Sequence, residues 1–426
     1  MIDGTAKARN PGIALVVVSD FGHVNGGAAQ VAIQSAIGLR QSGLDVTFAY
    51  AVGPADERLE ASGVRIERIP LEEVWSKRNP VAAARQGIWN PSAAAQFADF
   101  LGRLDQRRTI VHFHQWTKCF SPSVLAKSLA LGFISVITMH DYFMTCPNGA
   151  LYNFPAGKPC KLRPLSARCM VANCDSRSRG HKLIRIGRSA VQNMVLSGLA
   201  AKPAIIHVSE FARRIAEPQS MAGARHYTVT NPVVVEQRER SAAERNGEFL
   251  FVGRLVPEKG CRELAEAARR ANVPVAFAGR GPMADAIGTA NPAARLLGWL
   301  SPPEISAVMR QARALVFPSR WYETSGLVCL EALANGVPVI ASDRTAAAGL
   351  IEPGETGILL DPTDPADFDA ALEGLRGDET AERMSRLAYE RYWAAPASLE
   401  RHVAALIEVY HDIAGQGGGA LARGPS

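Results

Sequence analysis

Short apolar runs of strand length alternate with helical stretches along most of this chain. The runs at residues 13–18, 46–49, 64–69, 109–113 and 135–139 are separated by helical patterns at 28–41, 92–104 and 123–131. A second series follows at 249–252, 275–278, 314–317, 337–341 and 357–360. Such alternation calls for parallel sheets covered by helices on both faces, with ligands bound beyond the carboxyl ends of the strands. A chain of 426 residues is long enough for two such units. The charged segment EQRERSAAERN, at 236–246, has no periodic apolar residues and reads as the linker between them. The expected division is a first domain at 1–235, a linker at 236–247 and a second domain at 248–378. Loose ends are expected at 1–12 and 415–426.

The stretch 317–342, FPSRWYETSGLVCLEALANGVPVIAS, carries the most chemistry. It reads as strand, loop, helix and strand, with Asn335-Gly336 stopping the helix. Gly326, Leu327 and Val328 open that helix, and Gly326 lets a ligand approach the backbone. The unpaired amides and the positive dipole end of a first helical turn suit a phosphate. Glu323 precedes the helix start and Glu331 lies about two turns beyond it. A carboxylate on each side of a phosphate site suits hydroxyl groups, because its oxygens accept their hydrogen bonds. A phosphate between two polyols describes a nucleotide sugar.

The spacing Glu323-x7-Glu331, with "FPS" before it and "EALANGVPVIAS" after, resembles the signature of retaining glycosyltransferases of family 4. That resemblance implies the α/β GT-B fold, two Rossmann-like doubly wound domains facing a central cleft. Other segments resemble the family in order along the chain. Gly26-Gly27 follows the first strand, where the family's loop touches donor and acceptor. His140 ends the strand at 135–139, and the resemblance implies contact with the transferred sugar. Arg254 and Lys259 in VGRLVPEKG match the donor-phosphate motif, and two cations at a strand end suit a diphosphate. Gly281 lies in the next glycine loop. Trp299 follows a segment, 295–298, that resembles the one holding the nucleobase through its backbone. The base is left open between uracil and guanine. The resemblance also implies that helices at 379–414 cross back towards the first domain.

The implied activity is transfer of a sugar from a UDP- or GDP-sugar to a glycan or lipid-linked acceptor, with retention, in cell-surface polysaccharide or glycolipid synthesis. Arg254, Lys259 and the amides of 326–328 would stabilise the leaving diphosphate, so no metal is required for catalysis. Asp367-Phe368-Asp369 spells the D-x-D of metal-dependent transferases but falls in a helix beyond the last strand, and is read as coincidence. Two alternatives stand beside the transferase: a nucleotide-sugar epimerase of the same fold, and a catalytically silent sugar- or lipid-binding homologue.

Four of the seven cysteines, Cys146, Cys160, Cys169 and Cys174, crowd an insert at 144–188. Their density admits a structural zinc, and equally buried or free thiols, since the paired C-x-x-C knuckles of a strong zinc motif are lacking. The same region holds Lys158, Lys161, Arg163, Arg168, Arg177, Arg179, Lys182, Arg185 and Arg188 against one acid, Asp175. A basic insert followed by an apolar helix at 180–199 can rest on an anionic membrane surface, or be a solvated face. The net charge of +6 suits anionic partners without choosing among them. No nucleic-acid partner is expected. With no apolar run long enough to span a bilayer and no export signal, a cytoplasmic place is expected, at most peripheral to the inner membrane face.

Overall fold

The computed structural model describes residues 12–77 and 79–416. Most of the expected loose ends, at 1–11 and 417–426, lie outside the described residues. The first domain is built on β1 (Ala14–Phe21), β2 (Asp45–Val52), β3 (Arg65–Arg68), β4 (Thr109–Phe113) and β5 (Ile134–Met139). A two-stranded hairpin follows, β6 (Tyr152–Asn153) with β7 (Lys158–Pro159), before β8 (Ala204–His207) and β9 (His226–Thr228) complete the main sheet. That sheet has seven parallel strands in the order β3-β2-β1-β4-β5-β8-β9. The second domain contains β10 (Phe249–Val252), β11 (Val275–Ala278), β12 (Arg295–Gly298), β13 (Ala314–Phe317), β14 (Val339–Ser342) and β15 (Gly357–Leu360). These form a parallel sheet in the order β12-β11-β10-β13-β14-β15. The strand order reverses beside β1 in one sheet and beside β10 in the other, which opens a crevice at the carboxyl ends. The GT-B arrangement expected from the sequence is the one observed.

The central strands of both sheets are buried on two faces, which is why they read as continuous apolar runs, while the edge strands β3, β9 and β12 stay partly exposed. Leu15, Val17, Val46 and Phe48 pack on one face of the first sheet; Val16, Val18, Val111 and Phe113 pack on the other. The charged segment thought to link the domains docks on the second one. Ala243 is fully buried, and Arg240 bonds Ser385 at 2.7 Å. Of the two C-terminal helices, Asp378–Ala394 stays on the second domain, packed on the helix Leu327–Ala334. Only Leu399–Gln416 crosses. It buries Val403, Leu406, Tyr410 and Ile413 against the first sheet's core.

The insert between β5 and β8 departs most from expectation. Its long helix, Arg179–Gly198, is inside out. Lys182, Arg185, Arg188 and Gln192 point inward, while Leu183 and Met194 are 65% and 70% exposed. Arg185 pairs with the buried Asp175 at 2.9 Å, and Arg188 donates to the carbonyl of Pro147 at 3.2 Å. These cations therefore belong to the insert's interior and not to the basic surface read from the sequence. The four-cysteine zinc site also requires correction. Lys182 Nζ lies 3.0 Å from Cys174 Sγ and 3.8 Å from Cys169 Sγ, and the Cys146 thiol donates to Asn148 Oδ1 at 3.1 Å. An ammonium occupies the space between thiols that a metal would need, and Cys160 is only half-buried. Among the described residues no group of three or more His, Cys, Asp or Glu could hold a metal ion.

Candidate active site

The helix Leu327–Ala334 points its N-terminus into the cleft. Its cap is Gly326, with no side chain to bond the first amides, and those of Leu327 and Val328 find no acceptor among the described residues. A β-carbon on Gly326 would lie 3.2 Å from that of Ala347, so the close packing of the loop favours glycine. From across the cleft, Gly27 approaches Leu327: a β-carbon there would come within 3.4 Å of its Cδ1. The glycine loop of one domain thus lies over the anion-ready helix start of the other.

Lys259 is delivered by a tight turn. Gly260 has φ +71°, and a β-carbon on it would sit 2.3 Å from the carbonyl oxygen of Pro318. Only glycine lets the turn press against the end of β13. Lys259 Nζ then donates to Glu323 Oε1, and the Ser319 hydroxyl donates to the same oxygen. The ammonium lies 5.3 Å from the Phe317 ring centroid and 5.9 Å from that of Trp321, a cation between two aromatic faces. Arg254 is exposed and forms no side-chain bond among the described residues. It rises from the neighbouring loop, which Gly281 lets close on the carbonyl of Leu255.

Glu331 differs from Glu323. Among the described residues no hydrogen bond reaches its carboxyl, and desolvation pushes it up to about 7. With Trp299, Leu327 and Val328 it lines a cavity of about 420 Å³, closed on the first domain's side by Gln30. His140 enters from the first domain. Its carbonyl accepts the Thr324 hydroxyl at 2.8 Å, next in sequence to Glu323. Ser209 donates to the carbonyl of Thr324 at 2.7 Å. The loop between β13 and its helix is therefore held by both domains.

Ser319, Ser209 and Thr324 position this loop, and short polar residues in a loop give no periodic signal from which that could be read. Tertiary contact alone reveals them. Asp367 and Asp369 take ordinary structural roles: one accepts the amide of Asp361 at 2.9 Å, the other pairs with Arg270 at 2.8 Å.

The family model for glycosyl transferases group 1 matches residues 235–391, which hold Lys259, Glu323 and Glu331. These residues are a group 1 glycosyltransferase domain. Over 156 residues the chain is 35% identical to a glycogen synthase of Mycobacterium tuberculosis, covering 34% of this chain and 37% of that protein. It is 34% identical over 154 residues to the D-rhamnosyltransferase WbpZ of Pseudomonas aeruginosa, covering 34% of this chain and 40% of that protein. The match thus spans about two fifths of the length of these relatives. Solved structures resemble the whole chain in fold. Anabaena HepE in complex with UDP and glucose has a TM-score of 0.65 at 16% identity, covering 94% of this chain and all of that one. Sucrose-phosphate synthase from Thermosynechococcus elongatus has a TM-score of 0.67 at 17% identity, covering 94% and 98%.

Proposed function

We propose that this chain is a retaining, metal-independent glycosyltransferase using a nucleotide-diphosphate sugar, with UDP or GDP as the nucleotide. The observation that carries the reading is the Lys259–Glu323 pair lying beside an uncapped helix start, with Glu331 lining the adjoining cavity. The diphosphate would lie on the amides of Leu327 and Val328 and against Lys259, with Arg254 free to reach it. The ribose would give its hydroxyls to Glu331, the base would lie by Trp299, and the sugar would sit between Glu323 and His140.

Breaking the bond between the anomeric carbon and the phosphate oxygen builds negative charge on the diphosphate and positive charge on the sugar ring. Lys259, Arg254 and the helix amides stabilise the first. The acceptor hydroxyl attacks from the face the phosphate leaves, and its proton passes to the departing phosphate oxygen. One bond breaks, one forms, the configuration is kept, and no metal enters the balance.

The acceptor is a glycan or a lipid-linked sugar presented at an anionic membrane surface. The inside-out insert helix supports this. Leu183, Met194, Met170 and Val171 are exposed among Lys161, Arg163, Arg168, Arg177 and Arg179, and the only acid between Tyr142 and Ser209 is the buried Asp175. Exposed apolar residues in a segment that also exposes cations suit a bilayer interface. The hairpin β6–β7 ties this surface to the cleft, since the carbonyl of Gly157 accepts from Arg320 at 3.2 Å. Among the described residues no helix is long and apolar enough to cross a membrane.

Incubation with a panel of nucleotide sugars, with and without acceptors, tests the reading. Transfer that needs an acceptor supports it. Release of free epimerised sugar without one would make the chain an epimerase, and no turnover of any donor would make it a binding homologue.

A further inference from the structure

His140 is not alone at the end of its strand. The neighbouring strand β4 ends at Phe113, and the next residue, His114, places Nδ1 3.0 Å from His140 Nε2. The rings are stacked, with centroids 5.2 Å apart and planes 29° from parallel. His114 is buried, and its other nitrogen, Nε2, has no partner among the described residues. Among the described residues His140 Nδ1 also bonds no protein atom, and the ring is half-buried, so this is the nitrogen left open to the cleft. Behind His114 stands His112, with ring centroids 4.3 Å apart. His112 is pinned at both nitrogens, by Tyr410 of the crossing helix and by Thr138, each at 2.7 Å.

Desolvation holds His140 down to about 3 and His114 well below the ordinary histidine value, so both rings are neutral and each carries one N–H. Two arrangements satisfy the bond between them. If His140 Nε2–H donates, His114 must carry its proton on Nε2, as a buried donor without an acceptor. If His114 Nδ1–H donates, the unpartnered Nε2 is a bare lone pair and His140 carries its proton on Nδ1. Orphaned buried N–H groups are the rarer of the two defects, which selects the second arrangement.

We propose that His114 is a positioning residue that fixes the tautomer of His140, so that His140 presents an Nδ1–H donor to an oxygen of the sugar being transferred. This rests on the glycosyltransferase reading of the cleft. The donor is set before substrate arrives, and the stack behind His114, tied to the last helix by Tyr410, keeps the ring from turning.

The test uses the full chain labelled with ¹⁵N-histidine. The His140 resonances, assigned by loss in His140→Gln, should show Nδ1 protonated and Nε2 bare at neutral pH, with or without UDP or GDP. The reverse pattern overturns the proposal and leaves the glycosyltransferase reading untouched. Kinetics supply the second arm. His114→Leu should lower kcat about 10- to 100-fold, the scale for a misaligned reacting group, with donor KM within about twofold. His114→Asn, which keeps an N–H near the position of Nδ1, should recover most of the loss. Equal defects in both variants, or a loss seen only in donor KM, would contradict a tautomer-fixing role. If His114→Leu does not fold, the resonance pattern and His114→Asn still decide. A wild-type chain inactive on every donor would instead fail the functional reading.

Discussion

Glu323 and Glu331 flank one helix start, eight residues apart, yet they are held in opposite ways. Glu323 receives the ammonium of Lys259 and the hydroxyl of Ser319 on one oxygen. Glu331 receives no hydrogen bond among the described residues, and desolvation raises it to about 7. A carboxylate already paired is fixed in place, and pairing leaves its second oxygen to orient a substrate. A carboxyl left bare in a cavity weakens the empty protein and is relieved when a ligand brings hydroxyls. The comparison divides the site into a preorganised half, where charge changes during reaction, and a receptive half, where binding is the whole task.

Lys259→Ala attacks the preorganised half and should have the largest effect. Turnover should fall by about 100-fold or more, the scale for losing one electrostatic donor, and near-normal turnover would remove Lys259 from the leaving-group site. Glu331→Gln attacks the other half. It should raise donor KM by about tenfold, the loss of charge-assisted bonds to a diol, and leave kcat within about threefold. The same variant should melt at a higher temperature than wild type at pH 8. The sign follows from the raised value: the folded state holds the Glu331 proton more tightly than the unfolded chain. The resulting penalty on folding is absent below about 4.5, grows as pH rises and is complete above about 7. Equal melting temperatures at pH 8 would show that Glu331 carries no such strain.

A pH series sharpens the same contrast. If the ionised Glu331 binds the ribose, donor KM should climb as pH falls below about 7 and level off at the rise of about tenfold expected for Glu331→Gln. Glu331→Gln should flatten that profile. A profile unchanged by the substitution would assign the titration elsewhere. The smallest effect concerns neither glutamate. Leu183→Glu with Met194→Glu should abolish sedimentation with anionic vesicles while changing turnover on a soluble acceptor by less than about twofold, because both side chains are exposed. Vesicle binding unaltered by the pair would take the insert helix out of the membrane account.

The second domain was almost fully legible. Its strands at 249–252, 275–278, 314–317 and 357–360 are continuous apolar runs between glycine-bearing loops and fall where expected, whereas the edge strand at 295–298, RLLG, lacks that pattern and does not read as a strand. The helix Pro302–Arg310 is not among those read from the sequence, although Ser301-Pro302 and Glu304 spell the capping box that the structure contains. The insert of the first domain was not legible, because it reverses the usual pattern. Its helix turns Lys182, Arg185 and Arg188 inward onto thiols, a carboxylate and carbonyls, so charge no longer marks the surface. In the candidate site, the expected residues Lys259, Glu323, Gly326 and Glu331 lie together. What sequence could not supply was pairing across distance. Ser319 is four residues from Glu323, but Thr324 meets His140 and Ser209 from another domain, and His114 meets His140 from the neighbouring strand.

The central claim, a leaving diphosphate stabilised on the face where the acceptor attacks, is tested most directly by the anomeric configuration of the product. An α-linked nucleotide sugar that the enzyme consumes should be supplied with an acceptor, and the new linkage read by proton NMR before any later equilibration. An α-linked product is the predicted result. A β-linked product would require attack from the opposite face and a separate base, and would contradict the proposed roles of Lys259, Glu323 and the departing phosphate.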